Sequence, residues 1–426
     1  MRREKALEEA AEADRRLARG ERLPLLGVPI AVKDDVDITG EPTAFGCPGD
    51  FPAKTEDSEM VRRLRDAGAV IVGKTNSPEL GQWPLTSGSA FGYTRNPWSR
   101  HHTPGGSSGG TAAAVAAGLV SAGIGSDGAG SIRIPAAWTN LVGIKPQRGR
   151  ISTWPDAEAF YGLTVNGPLA RTVADAALLL DGAAGNHDGD LHKPTPVTVS
   201  DAVGRDPPGK LKIALSLRNP FTATPVKLDP EVRLAVHSIA DTLRELGHHV
   251  VVDDPAYGLI FGLNFLPRSL VGGVHDWLGR VPDPKLVDAR TRGNAQNGKL
   301  LRGAPLRAAR AAEPRMRKRI GAIFDTYDVV LAPTTQLHRS WRPRSTHRWL
   351  GHRQGHDRRL PLRVAVERPR LALGQRAGRI QQHRPSHRCA VDGQREHRTS
   401  VGLPRFTIGI GPALGSDPTR AVVVTR

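Results

Sequence analysis

Through the first 335 positions, apolar residues fall in short blocks set between polar helical stretches, a pattern that predicts alternating helices and buried strands. Residues 1–20 read as a charged helix closed by Gly20. Val28–Val32 is an apolar run interrupted only by Pro29 and ending at Lys33, as in a strand covered on both faces. Ser58–Ala67 reads as a helix stopped at Gly68, and Ala69–Val72 as a second buried strand. A loop rich in Gly, Pro and Ser fills residues 84–110, and Thr111–Leu119 follows as a helix of small residues able to pack closely.

Further along, Asp229-Pro230-Glu231 is a strong helix start, with Asp as N-cap and Pro at the first helical position. Val232, Val236, Ile239, Leu243 and Leu246 mark one face of that helix until Gly247, after which Val250–Val252 begins a strand. Ile320–Phe324 and Val329–Leu331 repeat the helix-to-strand theme. The predicted class is α/β, a sheet covered by helices on both faces. At Gln336 the pattern stops, and the following sequence holds no sustained period of 2 or 3.6.

Charge divides the chain at the same place. The 426 residues carry 60 Lys+Arg against 42 Asp+Glu, a net +18. Residues 336–426 hold 19 Arg, no Lys and 5 acids, so +14 of the charge lies there and only +4 on the first 335 residues. An ordinary, near-neutral globular body is joined to an Arg-only, His-rich segment, and the basic balance loses most of its force as a sign of nucleic-acid or membrane binding. Two cysteines, Cys47 and Cys389, exclude a disulfide framework and a four-thiolate metal site. The N-terminus lacks the apolar core of a secretory signal, and the weakly polar stretch Ala112–Gly125, about 14 residues, is too short to span a bilayer. A soluble protein in a reducing, cytoplasmic setting is expected.

Chemistry concentrates in residues 103–150. Gly123–Gly128 fits G-x-G-x-x-G, but no acid follows between Ala129 and Pro155, where a dinucleotide site needs one. Gly105–Gly110 has phosphate-loop spacing with Thr111 where a lysine is required. The same glycines frame Ser107 as a G-x-S-x-G elbow, yet no strand precedes it. Ser131 is different. It follows Gly128-Ala129-Gly130, small residues that let backbone N–H groups converge near its hydroxyl, and it reads as opening a helix. Hydrolysing an amide needs such a nucleophile, donors for the oxyanion and a proton shuttle.

GGSSGGTAAAVAAG, then GSDGAGSIRIPAA and GIKPQRGR, together resemble the signature of the amidase signature family. Upstream, GVPIAVKDDVDITG is similar to that family's lysine segment, and GKTNSPEL (Gly73–Leu80) lies where the family has a similar motif. The resemblance covers roughly residues 1–335 and implies a mixed β-sheet covered by helices. It also implies hydrolysis of carboxylic amides through a Ser–Ser–Lys triad and an acyl-enzyme, without cofactor or metal. On this sequence Lys33 corresponds to the family's lysine, Ser107 to its bridging serine on a cis peptide, and Ser131 to its nucleophile. Gly128, Ala129 and Gly130 correspond to the oxyanion hole, Asp127 and Arg133 to supporting positions, and Ser108 to a neighbouring serine. In this scheme Ser131 attacks, its proton passes through Ser107, and a neutral Lys33 receives it.

The sequence departs from the family in three places. Ala129 stands where the family usually has Gly, a strain of about 1 kcal/mol or more if that backbone needs φ > 0. The N-terminus is short against the family. After Asp328–Thr335 the resemblance ends, except that Gly402-Leu403-Pro404 echoes a C-terminal tripeptide. A reading-frame change near residue 336 in a GC-rich gene would account for the Arg-only composition and would leave the C-terminal part of the fold altered or missing.

Weaker candidates stand beside these residues. His101 and His102 suggest a Ser–His couple, and Lys74 is a rival base. Asp34, Asp35 and Asp37 suggest a cation site, though an acidic turn after a strand is more often a solvated loop. The expected partner is a small-molecule amide, with no membrane and with a homodimer allowed. Two rival functions are an inactive relative and a nucleic-acid-binding protein acting through the basic segment, which has only three aromatics, Trp341, Trp349 and Phe406, and no recognisable binding module.

Overall fold

The computed structural model describes residues 2–207, 209–220, 227–258, 261–336 and 421–425. In chain order the elements that build the site are α1 (Arg3–Ala18), β1 (Pro29–Lys33), α2 (Glu59–Asp66), β2 (Val70–Thr75) and α3 (Gly109–Ala116). Then come β3 (Ala122–Asp127), α4 (Arg133–Thr139), β4 (Val142–Gly143), β5 (Val165–Ala170) and α5 (Val173–Ala183). The second half contributes β6 (Lys212–Leu215), α6 (Pro230–Glu245), β7 (His249–Val252), α7 (Phe261–Leu270), α8 (Ala289–Leu301), α9 (Ala304–Ala311), α10 (Glu313–Gly321), β8 (Val329–Pro333) and β9 (Ala421–Thr425).

The strands pair as two sheets. The first has the order β2-β1-β3-β5-β4 and is mixed: β1 runs parallel to β2 and β3, while β5 is antiparallel to β3 and β4. Successive side chains of β1 face opposite ways, as the pleat requires. Ile30 and Val32 join Met60 and Leu64 of α2 and Leu179 and Leu180 of α5 in one core. Ala31 joins Ala112 and Val115 of α3 and Ala136 of α4 in another. The run Val28–Val32 is apolar throughout because both of its faces are covered.

The second sheet is parallel, with the order β9-β8-β6-β7. Ile213 and Leu215 of β6 pack on Val232, Val236 and Ile239 of α6, and Ala214 turns to the other face with Phe324 and Val330. The Asp229 side chain caps α6 by accepting from the Glu231 N–H at 2.8 Å, with Pro230 at the first helical position.

The elements agree with the hydrophobic pattern in kind and differ at their edges. The small-residue helix runs Gly109–Ala116, starting two residues earlier than its composition suggests, and Leu246 leaves its helix face and is 59% exposed. Ile320–Phe324 is the end of α10 followed by a 3-10 turn, Ala322–Asp325. Ala421–Thr425 was not expected as an element; it pairs in parallel with β8. The rest of the basic segment, residues 337–420, lies outside the described residues, and with it the readings that concern it. Among the described residues no helix is long and apolar enough to cross a membrane.

Candidate active site

β1 delivers Lys33 to the carboxyl end of the first sheet, between β2 and β3. Its side chain is 1% exposed, which is rare for lysine unless its nitrogen is fully partnered. The partners are hydroxyls and one carboxylate. Lys33 Nζ lies 2.7 Å from Ser107 Oγ, 2.6 Å from Ser126 Oγ and 3.1 Å from Asp35 Oδ2.

Ser107 comes from the Gly/Ser loop, and its peptide bond with Gly106 is cis. The loop is held from several sides. Thr86 Oγ1 donates to the Gly105 carbonyl at 2.9 Å and accepts from the Gly109 N–H at 3.1 Å. Gly110 packs on the Asn76 backbone so closely that a Cβ would come within 2.3 Å of its carbonyl oxygen, so no larger residue fits without moving the chain. Ser108, fully buried, staples the loop to β3: its hydroxyl donates to the Ser126 carbonyl and accepts from the Ser126 N–H, both at 3.2 Å. Its own N–H donates to the Ser131 carbonyl at 3.1 Å, tying the Ser107 segment to the Ser131 segment.

Asp127, at the end of β3 and 0% exposed, organises the turn that carries Ser131. Its carboxylate accepts from the Gly130 N–H at 2.7 Å and the Ile132 N–H at 3.2 Å, and from Arg133 Nε at 2.9 Å and Nη2 at 3.0 Å. Burial works against the ionised form, but Arg133, Lys145 and the Gly130 N–H outweigh it and hold Asp127 well below the usual carboxylate range. Nearby Lys145 shows the opposite balance: burial pushes it down to about 8, against the pull of Asp127.

The turn corrects three expectations. The left-handed backbone falls on Gly130, at φ 110°, and not on Ala129, so Ala129 is unstrained by that route. Since the Gly130 N–H is taken by Asp127, the backbone donors that meet no acceptor among the described residues are those of Gly128, Ala129 and Ser131. In addition, the helix begins at Arg133, two residues beyond Ser131, after a turn in which the Asp127 carboxylate accepts from the Gly130 and Ile132 N–H groups. Ser131 is partly exposed, whereas Ser107 is buried.

The rival candidates separate from the site. Lys74 Nζ faces Asp34 at 3.1 Å, Thr43 Oγ1 at 2.9 Å and the Pro42 carbonyl at 2.7 Å, strapping the loop after β1 to β2. Asp34, Asp35 and Asp37 diverge to three lysines, Lys74, Lys33 and Lys54, and among the described residues no cluster could hold a metal ion. The acidic turn is therefore more than a solvated loop: its three carboxylates are paired with lysines. His102 Nδ1 bonds Ser99 within its own turn at 2.8 Å, and His101 is exposed, while Ser107 is engaged by Lys33. Gly123–Asp127 lies within strand β3, with no phosphate-binding turn there.

Beside the turn stands an aromatic wall. A Cβ built on Gly128 would lie 3.8 Å from the ring of Phe160, which packs edge-on against Trp277 at 4.6 Å between ring centres. Trp277 in turn touches Phe45 at 4.8 Å.

Comparison with known proteins decides the family. The Amidase family model matches residues 1–341. This chain belongs to the amidase signature family. AmiA2 of Mycobacterium tuberculosis is 63% identical over 332 residues, covering 78% of this chain and 68% of AmiA2. Among solved structures, the peptide amidase of Stenotrophomonas maltophilia is similar with TM-score 0.67 and 30% identity, over 78% of this chain and 75% of its own. A bacterial aryl acylamidase of the amidase signature family gives TM-score 0.69 at 27% identity, over 80% of this chain and 72% of its own. The protein is an amidase, and its reaction is amide hydrolysis. Sequence reasoning missed two polar partners of Lys33. Asp35 sat within a run of acids that looked like a surface turn, and Ser126 is 93 residues from the lysine it bonds.

Proposed function

We propose that Lys33, Ser107 and Ser131 carry out the hydrolysis in this amidase. The observation that carries the reading is the buried 2.7 Å bond between Lys33 Nζ and Ser107 Oγ, which joins a base to a hydroxyl that can both take and give a proton. Ser131 Oγ attacks the amide carbon and loses its proton to Ser107, whose own proton passes to Lys33. The carbonyl oxygen becomes an oxyanion, received by the open N–H groups of Gly128 and Ala129. The C–N bond then breaks as the leaving nitrogen takes the proton back through Ser107, and the acyl group stays on Ser131 as an ester. Water attacks that ester along the same route, releasing the carboxylate and restoring Ser131.

Asp127 supports this sequence by holding the turn while Arg133 balances its charge. Phe160, beside Gly128 and backed by Trp277, favours an amide whose acyl group is apolar. The test is turnover of small amides by the purified full chain, alongside labelling with a serine-reactive probe. Ser131→Ala is expected to lower turnover by about 10⁴-fold or more and to abolish labelling. Turnover at the parent rate in Ser131→Ala would remove this mechanism.

A further inference from the structure

We propose that Asp35 and Ser126 are positioning residues that clamp Lys33 so that its lone pair faces Ser107. The proposal rests on the reading of Lys33 as the base. Three groups surround Lys33 Nζ, and they are not equivalent. Ser126 Oγ gives its single proton to Asp35 Oδ2 at 2.5 Å, so towards Lys33, at 2.6 Å, it can only accept. Asp35 Oδ2, 3.1 Å from Nζ, is a carboxylate oxygen and also only accepts. A neutral amine has two N–H groups and one lone pair. Directing both N–H groups at Ser126 and Asp35 leaves the lone pair for the third neighbour, Ser107, which alone among the three has a proton free to give.

Once Lys33 has accepted that proton, the ammonium has three N–H groups for three acceptors and a carboxylate beside its charge. Asp35 would thus do for a lysine what the buried aspartate does for histidine in a Ser-His-Asp triad: fix the base and balance the charge it acquires. The neighbouring acids do not substitute for it, because Asp34 is drawn to Lys74, Asp37 to Lys54 and Asp127 to Arg133. Nor does Asp35 serve an evident structural purpose. Its side chain is 8% exposed, its Oδ1 meets no donor among the described residues, and its polar contacts are Lys33 and Ser126. A carboxylate buried with one oxygen unpartnered is costly to folding, which argues for a role in the reaction.

The experiment compares Lys33→Ala, Asp35→Asn, Ser126→Ala and the double variant in the full chain, measuring kcat and KM on one small amide and the urea unfolding transition. Asp35→Asn is expected to lower kcat by about 100-fold with KM within about threefold, and Ser126→Ala by about 10-fold. The double variant should fall little below Asp35→Asn, because the two act as one unit. Ser126→Ala removes one buried hydroxyl and leaves the charges in place, so it reads the clamp even if Asp35→Asn folds poorly. Parent kcat in Asp35→Asn and Ser126→Ala, with Lys33→Ala inactive, would overturn the clamp alone. Activity retained by Lys33→Ala would overturn the base itself. A loss matched by equal loss of folded protein in both single variants would assign Asp35 and Ser126 to structure and also overturn the proposal.

Discussion

The two sheets are built on different rules. Around the first, the interior holds ionisable and hydroxyl groups: Lys33, Ser107, Ser108, Ser126, Asp127 and Lys145 are each under 9% exposed. Around the second, the core of Ile213, Leu215, Val232, Val236, Ile239, Val250, Val329 and Leu331 is aliphatic, with polar bonds such as Ser216 to Asp254 at a strand end. An aliphatic core is held by contact area, and each side chain adds about 1.5–3 kcal/mol when buried. A polar core gains little from burial itself and depends on its donors and acceptors being matched, so that each unmatched one, such as Asp35 Oδ1, is costly. The second sheet rests on apolar contact, whereas the first sets a bonded polar cluster around Lys33 beside its own apolar core of Ile30, Val32, Met60 and Leu64.

The contrast can be broken most sharply at Asp127. Asp127→Asn leaves Arg133 without its counter-charge and loosens the turn at Gly130, so a loss of about 3 kcal/mol in urea unfolding is expected, together with loss of turnover. A change below about 1 kcal/mol would mean that the polar interior is less interdependent than its bonds indicate. Leu331→Ala, in the aliphatic core, should cost about 2–4 kcal/mol of stability while the folded protein keeps its kcat/KM. If turnover fell with stability there, the two sheets would not be separable in function.

The smallest expected effect is at Lys145, and its sign follows from proton linkage. Burial lowers Lys145 to about 8, while the unfolded chain keeps the ordinary lysine value of about 10.4. Between those values the unfolded state binds more protons, so stability rises with pH from about 8 to about 10.4, and the cost of charging Lys145 is fully present below about 8. Lys145→Met should flatten that rise, read as urea midpoints across the same pH range. A rise of unchanged size in the variant would show that another group produces it.

The sequence pattern was most readable where structure follows from local rules. The face Val232, Val236, Ile239 needs only a period of 3.6, and the Asp229-Pro230 start needs only capping chemistry. Lys33, Ser107 and Ser131 were visible because their segments are long and distinctive. Asp35 and Ser126 were not, because their meaning depends on strand order. Ser126 reaches Lys33 only because β3 lies beside β1, and nothing within either segment announces that neighbour. Asp35 resembles Asp34 and Asp37 in composition, and only the direction of the chain after β1 separates a residue turned towards Lys33 from one turned towards Lys74. Ala129 failed in the other direction: residue type suggested strain, while the turn places its left-handed position one residue later.

The depth at which Lys33 lies has a consequence for the timing of entropy loss. A free lysine side chain samples many rotamers, worth about 2 kcal/mol, and any catalyst that used a mobile lysine would have to freeze that motion in each turnover. Here the four-carbon stem runs through a packed interior and is 1% exposed, so its freedom is already gone when the chain has folded. The loss is charged to the stability of the first sheet, once per molecule, and under the proposed mechanism the amide meets a base that is already still.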